Sequence, residues 1–504
     1  MKYSDLSGKF DGDRNQHNIM TIVGNGFDIN MLTKHGYELP NGQKMTTSYP
    51  LFYSYYKRNC LDDDNILIQA MEKARSNQES NWADFENLIP KAIETEINTQ
   101  VTAEDSEEVR EEKEDKILNK AAKDLRKLQT AFATFLSKYV DVKVENAVGK
   151  DSEENKLAIG SLSSFLSDLS EDNYNNFVFP SYIEYYDIFN FLFVNLNFTN
   201  LLDNYIYLDK DQFDPHRYKT VDRNFIFRPN PNDYPNCHRY KTQFINDKTI
   251  YNSYVHVSVV HPHGNQHIAR SLLFGANAEQ LLSHKKSSRF NKEYWVQYPK
   301  YYQDLIDDTR LFIVYGSSLD NTDKWWWIHI LSKLAEKSYD LHFKVKSKES
   351  DSKHVDDINV QESINSELLI YWYDPDGQHP FSVDEFIDKF AIQLDPQTGN
   401  AIKIHPKSKE KFEVDPETRK AFGIDPITGN TIRTDTYGRK IEFDLQTGDN
   451  VTKVEKETDF QIGDTIPIDP KIKEEIKRRI FVIPFKDPND LEFLSFKPKD
   501  YSKK

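Results

Sequence analysis

Short apolar runs, separated by longer polar stretches, predict the strands of a layered sheet in this chain. The runs Ile19–Val23, Phe191–Val194, Leu311–Tyr315 and Leu368–Trp372 are rich in β-branched or aromatic side chains. Runs of this kind are typical of parallel strands that are buried on both faces. Helical patterns lie between them, so the order of the elements predicts an α/β fold with a Rossmann-like, mostly parallel sheet.

The helical spacing is clearest in the first half of the chain. An apolar stripe from Leu118 to Leu136 recurs every three or four residues. The acidic stretch 104–116 before it is interpreted as a solvated helix face. We therefore predict a core formed by residues 1–60 and 176–390, with a helical insertion over residues 61–175.

Residues 391–450 repeat a turn signal at a period of ten residues, with alternating apolar pairs before the turns. The fullest version is Asp395-Pro396-Gln397-Thr398-Gly399. Aspartate caps a type I turn, proline presets φ, and glycine takes the left-handed position of a hairpin bulge. We predict that residues 391–504 form a C-terminal appendage of β-hairpin repeats. A structural role is favoured, and partner binding through an edge strand is the alternative.

The composition narrows the classes of function. The chain has 504 residues, a formal net charge of −16 and two cysteines, Cys60 and Cys237. The negative charge disfavours general nucleic-acid binding, although a local pocket of backbone N–H groups still suits an anion. Two cysteines fit a reducing compartment, and no apolar run is long enough for a signal peptide or a membrane span. We expect a cytoplasmic protein that does not bind membranes, and homo-oligomer formation stays open.

The first candidate site follows the first predicted strand as Gly24-Asn25-Gly26-Phe27-Asp28. Two glycines at this position let the backbone approach a ligand and aim N–H groups at it. Ile29 replaces the third glycine of a dinucleotide-binding fingerprint, so a plain tight turn is the alternative. Asp28 is a candidate to accept a hydrogen bond from a ribose hydroxyl, or else to cap the turn.

Two further candidates follow later strands. The segment Asn195–Thr199 places amide and hydroxyl groups at the carboxyl end of a strand, where open α/β sheets bind ligands. Capping of the next helix is the alternative. Gly316 and Ser317 have the same strand-to-turn arrangement. Asp320 or Asp323 is a candidate cap for the helix after them, whose three tryptophans at 325–327 we expect to be partly buried.

A histidine-rich turn, His261-Pro262-His263-Gly264, ends another apolar stretch. An exposed histidine beside a glycine at a strand end has a pKa near neutrality and suits a general base, so His263 is the candidate. Nearby His256 and His267 raise the alternative of a metal site. Their spacing matches no zinc motif, and no metal is expected.

Taken together, these motifs resemble the AbiH-type abortive-infection family over roughly residues 18–330. The resemblance rests, in the family's order, on residues 22–28, Thr47-Ser48-Tyr49 before an aromatic helix, Asn81–Glu86, Asn197-Phe198-Thr199, Pro262-His263-Gly264, and Tyr315–Leu319 with Asp323. It implies a bacterial antiphage protein. It says nothing of the reaction.

The same order of motifs is similar, more distantly, to sirtuin-like NAD-binding domains. That resemblance implies that Asn197 orients the nicotinamide ribose or the attacking water, and that His263 is the base. With the residues above, it gives His263, Asn197 and Asp28 as predicted catalytic residues, and Gly24, Asn25, Gly26, Thr199, Gly264, Gly316 and Ser317 as predicted nucleotide-binding residues. Two cysteines cannot form the four-cysteine zinc module of sirtuin deacylases, so deacylation is not expected.

Three functions remain open at this point. The first is an antiphage effector enzyme that hydrolyses the N-glycosidic bond of NAD or a related nucleotide, with NAD as substrate or ligand. The second is a sensor that binds a nucleotide or a phage component without turnover, with a phage protein or another subunit as partner. The third is a metal-dependent phosphodiesterase or nuclease built on Asp28, Asp203 and His263, which the charge and the spacing disfavour.

Overall fold

The fold is built on six parallel strands that lie far apart along the chain. The computed structural model describes residues 1–9, 14–60, 64–79, 82–102, 104–181, 183–207, 211–212, 225–234, 250–275, 290, 292–335, 339–341, 362–364, 366–392, 402–404, 411–414, 421–424, 442–443, 450–451, 464–465 and 470–497. The strands are β1 (Gln16–Val23), β2 (Ile188–Asn195), β3 (Tyr254–Val260), β4 (Leu311–Tyr315), β5 (Glu367–Tyr373) and β6 (Ile480–Phe485).

The strands lie in the order β3-β2-β1-β4-β5-β6, and all five pairings between them are parallel. This is the order of a Rossmann fold, and it confirms the predicted α/β class. A two-residue strand, Asp211–Gln212, extends the sheet by pairing antiparallel with β3. The sequence pattern did not predict β6. Its Pro484 is tolerated because β6 is the edge strand, where one row of backbone groups needs no partner.

Both faces of the sheet are covered by helices. The helices are α1 (Asn25–His35), α2 (Tyr49–Asn59), α3 (Ile66–Ser76), α4 (Phe85–Gln100), α5 (Glu107–Tyr139), α6 (Val142–Asn155), α7 (Leu157–Ser163), α8 (Glu171–Asn176), α9 (Leu201–Ile206), α10 (Lys292–Val296), α11 (Tyr298–Asp307), α12 (Lys324–Ala335), α13 (Val383–Phe390) and α14 (Pro470–Lys477). Within these described helices, none has the length and apolar character needed to cross a membrane.

The two faces of β1 show how the core divides. Ile19 and Val23 pack into an apolar cluster with buried side chains of α1–α9. Met20 and Ile22 point the other way, into a cluster with α10–α14. Strand side chains alternate between faces, so an unbroken apolar run serves both clusters at once. The three tryptophans of α12 are buried in the second cluster, as expected from the sequence.

Part of the predicted C-terminal repeat falls on described residues. Ile402–Ile404, Lys411–Val414 and Ala421–Gly423 are neighbouring antiparallel strands, and Asp464–Thr465 pairs with the first of them. The turns that join these strands, His405-Pro406 and Asp415-Pro416, lie outside the described residues. The repeat as a whole therefore stays a prediction.

Candidate functional site

The carboxyl ends of three adjacent strands meet at one place in the sheet. Val23, the last residue of β1, is paired with Asn195 of β2 and with Tyr315 of β4, so all three strands end at the same level. The order of strands reverses between β1 and β4, which is where open α/β sheets bind ligands. A cavity of about 220 Å³ opens at this point.

Most of the predicted site residues lie on the wall of this cavity. The wall includes Gly24, Asn25, Asp28, Asn197, Thr199, His263, Gly316 and Ser317. Gly26 and Gly264 do not line it. Gly264 has a φ of +93° and packs against the backbone of Ser271. Residues from four loops are thus brought together, although nothing in the chain's spacing puts them near one another.

The two glycines after β1 are required by a contact between loops. The Gly24 N–H donates to the carbonyl oxygen of Tyr315 (2.9 Å), and the Gly26 N–H donates to that of Gly316 (2.8 Å). A Cβ atom on Gly24 would lie 2.6 Å from the Gly316 oxygen, and one on Gly26 would lie 2.7 Å from the Gly316 Cα. The loop packing therefore accounts for both glycines. Helix α1 begins between the two glycines, at Asn25, with no side-chain cap at its N-terminus.

Asp28 is a buried carboxylate held by the loop after β2. Its Oδ2 accepts a hydrogen bond from Thr199 Oγ1 (2.6 Å), and its Oδ1 accepts one from Asn197 Nδ2 (3.1 Å). Burial raises the pKa of Asp28 to about 7, and the hydrogen bond from Thr199 opposes this rise. A cavity-lining carboxyl group with a pKa near neutrality is equipped to take up and release a proton.

His263 differs from the expectation of an exposed base, because the residue is 2% exposed. Its Nδ1 faces the carbonyl oxygen of Leu196 (3.2 Å), which only accepts, so Nδ1 carries the proton. Burial, reinforced by the charge of Lys292, lowers the pKa of His263, and the ring is neutral near pH 7. Its Nε2 then accepts from the hydroxyl of Tyr298 (2.9 Å). Both ring nitrogens are therefore engaged.

A buried ion cluster, which the sequence did not predict, forms part of the cavity wall. Lys292 Nζ lies 3.3 Å from Glu86 Oε1 and 3.6 Å from Asp323 Oδ1, and Asp323 Oδ1 lies 3.3 Å from His263 Nε2. Burial alone raises the pKa of Asp323, but the opposing interactions, led by the charge of Lys292, hold that pKa well below its ordinary value. Burial lowers the pKa of Lys292, and its two carboxylate neighbours more than reverse this.

The helical layer contributes directly to this wall. Glu86 of α4 accepts hydrogen bonds from the Gly275 N–H (3.1 Å) and from the Tyr49 hydroxyl of α2 (3.2 Å). Burial raises the pKa of Glu86 and also that of Asp84, which caps α4 and lines the cavity. Asp84 and Glu86 lie in the segment Asn81–Glu86, which is part of the family resemblance, so the sequence could have marked them as site residues. Lys292 has no such signal in the sequence.

Two of the three residues of the alternative metal hypothesis, Asp28 and His263, line the cavity, and the third does not. Asp203 does not line the cavity but pairs with His261, whose Nε2 lies 3.0 Å from Asp203 Oδ2. Across the described residues, no group of three or more histidine, cysteine, aspartate or glutamate side chains is arranged to hold a metal ion.

The side chains of Asn25, Ser317 and Asp320 also accept hydrogen bonds from neighbouring residues. Asn25 Oδ1 accepts a hydrogen bond from Thr47 Oγ1 (2.5 Å), which joins the start of α1 to the loop before α2. Ser317 Oγ accepts one from the Leu319 N–H (3.3 Å). Asp320 accepts from the Asn321 N–H (2.7 Å) and from Asn87 Nδ2 (3.1 Å), so Asp320 caps the short 3-10 turn Asn321–Asp323 that precedes α12, whereas Asp323 faces the ion cluster.

Comparison with known proteins agrees with the resemblance stated from the motifs. A family model described as bacteriophage abortive infection AbiH matches residues 20–345, a range that includes every residue on the cavity wall. The chain has no significant match among curated proteins or among solved structures. The family match spans well over half of the chain. The chain therefore belongs to the bacteriophage abortive infection AbiH family.

Proposed function

We propose that this chain is an antiphage effector that binds NAD or a related nucleotide in the cavity and hydrolyses its N-glycosidic bond. The observation that carries the proposal is Asp28, a buried carboxyl group with a pKa of about 7 at the switch point of a Rossmann sheet. General bases work best with a pKa near the operating pH. Dinucleotides bind to Rossmann folds at this edge.

In the proposed reaction, ionised Asp28 takes a proton from water as the water oxygen attacks the anomeric carbon of the ribose. The bond from that carbon to the pyridinium nitrogen breaks, and nicotinamide leaves with the bonding electron pair as a neutral molecule. The products are ADP-ribose, nicotinamide and one proton, which Asp28 returns to solvent. Positive charge develops on the ribose in the transition state, and neighbouring carboxylates stabilise it.

Asp28 suits the role of base better than His263. The Nε2 lone pair of His263 already accepts the Tyr298 hydroxyl, and Nδ1 donates to Leu196. Asp28 accepts two hydrogen bonds, but its two oxygens together have about four acceptor sites. We therefore assign proton transfer to Asp28 and a supporting position to His263.

Asn197 and α1 support the binding of the nucleotide. Both N–H groups of the Asn197 amide are occupied, one by Asp28 and one by the Gly24 carbonyl oxygen (3.1 Å), so the side chain is fixed in orientation. Its amide oxygen is the group proposed to accept from water or a ribose hydroxyl. The first turn of α1, whose Asn25 lines the cavity, is the place we propose for a phosphate, because the helix dipole favours an anion there.

The test is release of nicotinamide from NAD by the purified full chain, measured chromatographically with and without phage lysate. We expect release in at least one condition and a loss of about 100-fold or more in Asp28→Asn. Asp304→Asn, which changes an exposed carboxyl group on α11, is the matched control and should retain the rate. No release in either condition, at enzyme concentrations equal to that of NAD, would overturn the proposal.

Two other outcomes would identify the alternatives. Tight binding of a nucleotide without any product would favour a sensor. Activity on nucleic acid that is lost with a chelator would favour a metal-dependent nuclease.

A further inference from the structure

We infer that the cavity selects the oxidised, positively charged pyridinium form of its nucleotide over the neutral dihydropyridine form. The inference rests on the proposed function, since it specifies the ligand of the same site. It does not depend on turnover. Its basis is that, among the described residues facing the cavity, carboxyl groups outnumber positively charged groups.

Carboxyl groups outnumber cations on the wall. Asp28, Asp84, Glu86 and Asp323 all line the cavity, and Lys292 is the one ammonium group among the described residues that line it. Lys292 already forms ion pairs with two of these carboxylates, because its Nζ lies within 4 Å of Glu86 and of Asp323. A neutral His263 adds no positive charge. The described wall therefore has uncompensated negative charge.

One carboxylate oxygen at the cavity is buried without a hydrogen-bond donor. Asp323 Oδ1 is buried and makes no hydrogen bond. Lys292 Nζ lies 3.6 Å and His263 Nε2 lies 3.3 Å from it, and neither contact is a hydrogen bond. A neutral His263 with its proton on Nδ1 offers no donor to this oxygen. Lys292 stabilises the Asp323 carboxylate as an ion pair, but this oxygen lacks a hydrogen bond, and a bound cation would stabilise it further.

The same wall presents aromatic rings. Phe132, Phe198 and Tyr49 line the cavity, with ring centroids 5.6 Å apart for Phe132 and Phe198 and 6.1 Å apart for Tyr49 and Phe132. These pairs are edge-to-face, at 78° and 61°. Aromatic faces together with carboxylates are a favourable environment for a flat organic cation.

A metal ion is the competing occupant. A divalent ion needs several oxygen ligands converging on one point. The described carboxylates do not converge in this way, since no group of three or more of them could hold a metal. An organic cation spreads its charge over a ring and needs no such convergence, so the geometry favours it.

The experiment compares two ligands that differ in the charge of the ring. Carbocyclic NAD⁺, in which a methylene group replaces the oxygen of the nicotinamide ribose so that the bond is not cleaved, is titrated into the full chain by calorimetry. Its dihydro form is titrated under the same conditions. We expect the cation to bind about tenfold more tightly or better. Equal affinities, tighter binding of the neutral form, or no binding of either would overturn the inference.

Variants locate the source of the preference. Asp323→Asn keeps the shape of the side chain and removes its charge, and we expect the preference for the cation to fall at least about threefold. Asp84→Asn is a second such variant, in case Asp323→Asn does not fold. Asp304→Asn is the control and should keep the full preference. An undiminished preference in both Asp323→Asn and Asp84→Asn would overturn the assignment to these carboxylates.

The outcomes separate this inference from the proposed function. Selective binding of the cation without release of nicotinamide from NAD would overturn the hydrolase and leave the inference in place. Release of nicotinamide, together with equal affinities for carbocyclic NAD⁺ and its dihydro form, would support the hydrolase and overturn the inference. Displacement of carbocyclic NAD⁺ by Mg²⁺ alone would show that a metal fills the acidic wall, and would overturn the inference.

Discussion

Asn197 Nδ2 donates one hydrogen bond to Asp28 Oδ1 and another to the carbonyl oxygen of Gly24, each at 3.1 Å. This amide joins the loop after β2 to the first turn of α1. It fixes the position of Asp28, whose pKa burial raises to about 7. The relationship explains why residues that are 169 positions apart in the sequence act as one unit.

The first prediction concerns the pH dependence of catalysis. The hydrogen bond from Thr199 Oγ1 lowers the pKa of Asp28, against the larger effect of burial. Thr199→Val removes this bond and should raise that pKa, so the rising limb of the rate of nicotinamide release should move from near pH 7 to higher pH. The measurement is the pH–rate profile of both forms. An unmoved limb would mean that Asp28 is not the titrating group.

The second prediction concerns stability and pH. The pKa of Asp28 rises from 3.8 to about 7 on folding, so the folded chain keeps a proton that the unfolded chain has released in this range. Asp28 therefore costs stability increasingly as pH rises from about 4 to 7. Relative to wild type, Asp28→Asn should gain at most about 4 kcal/mol between pH 4 and 8. Denaturant unfolding at several pH values measures the gain. Asp304→Asn should show no such trend.

The third prediction concerns the packing of the loops after β1 and β4. Gly316 has a φ of +65°, and a Cβ atom there would lie 2.8 Å from the Phe27 nitrogen. Gly316→Ala should destabilise the chain by about 2 kcal/mol or more, since backbone on both sides must shift. Gly8→Ala is the control, because no atom lies within 4 Å of the Cβ position there. Thermal unfolding compares the two, and equal midpoints would contradict the packing argument.

The fourth prediction concerns the ion cluster. Lys292→Met leaves Glu86 and Asp323 buried without their cation, which should cost about 3–5 kcal/mol of the free energy of unfolding. Adding Glu86→Gln removes one of the stranded charges and should recover part of the loss. Lys123→Met, on the exposed face of α5, should change stability by less than about 0.5 kcal/mol. If the double variant is no more stable than Lys292→Met, the charge explanation fails.

The sheet was predictable because its signal is local. Ile19–Val23 falls within β1, Phe191–Val194 falls within β2, and Leu311–Tyr315 is β4 itself. A strand buried on both faces must be apolar at nearly every position, and such a run stands out in a polar sequence. β6 was missed because Pro484 argues against a strand unless the strand is known to be at an edge.

The site was predictable only in part. Asp28, Asn197 and His263 follow strand ends, and the topology of parallel sheets brings such ends together. The burial of His263 and its bond to Tyr298 were not predictable, because they depend on how α11 packs. Lys292 was missed for a similar reason, since a single lysine in a polar stretch looks like a surface residue until its two carboxylate partners are known.

The contact between Lys292 and Glu86 has a consequence for how members of this family can be recombined. Glu86 belongs to the helices inserted between β1 and β2, whereas Lys292 follows β3. The cavity wall is therefore complete only when the inserted helices and the segment after β3 are both present. Consider a chimaera that takes its inserted helices from another family member. We expect it to fold only when the residue that replaces Glu86 can pair with Lys292, so positions 86 and 292 must be exchanged together.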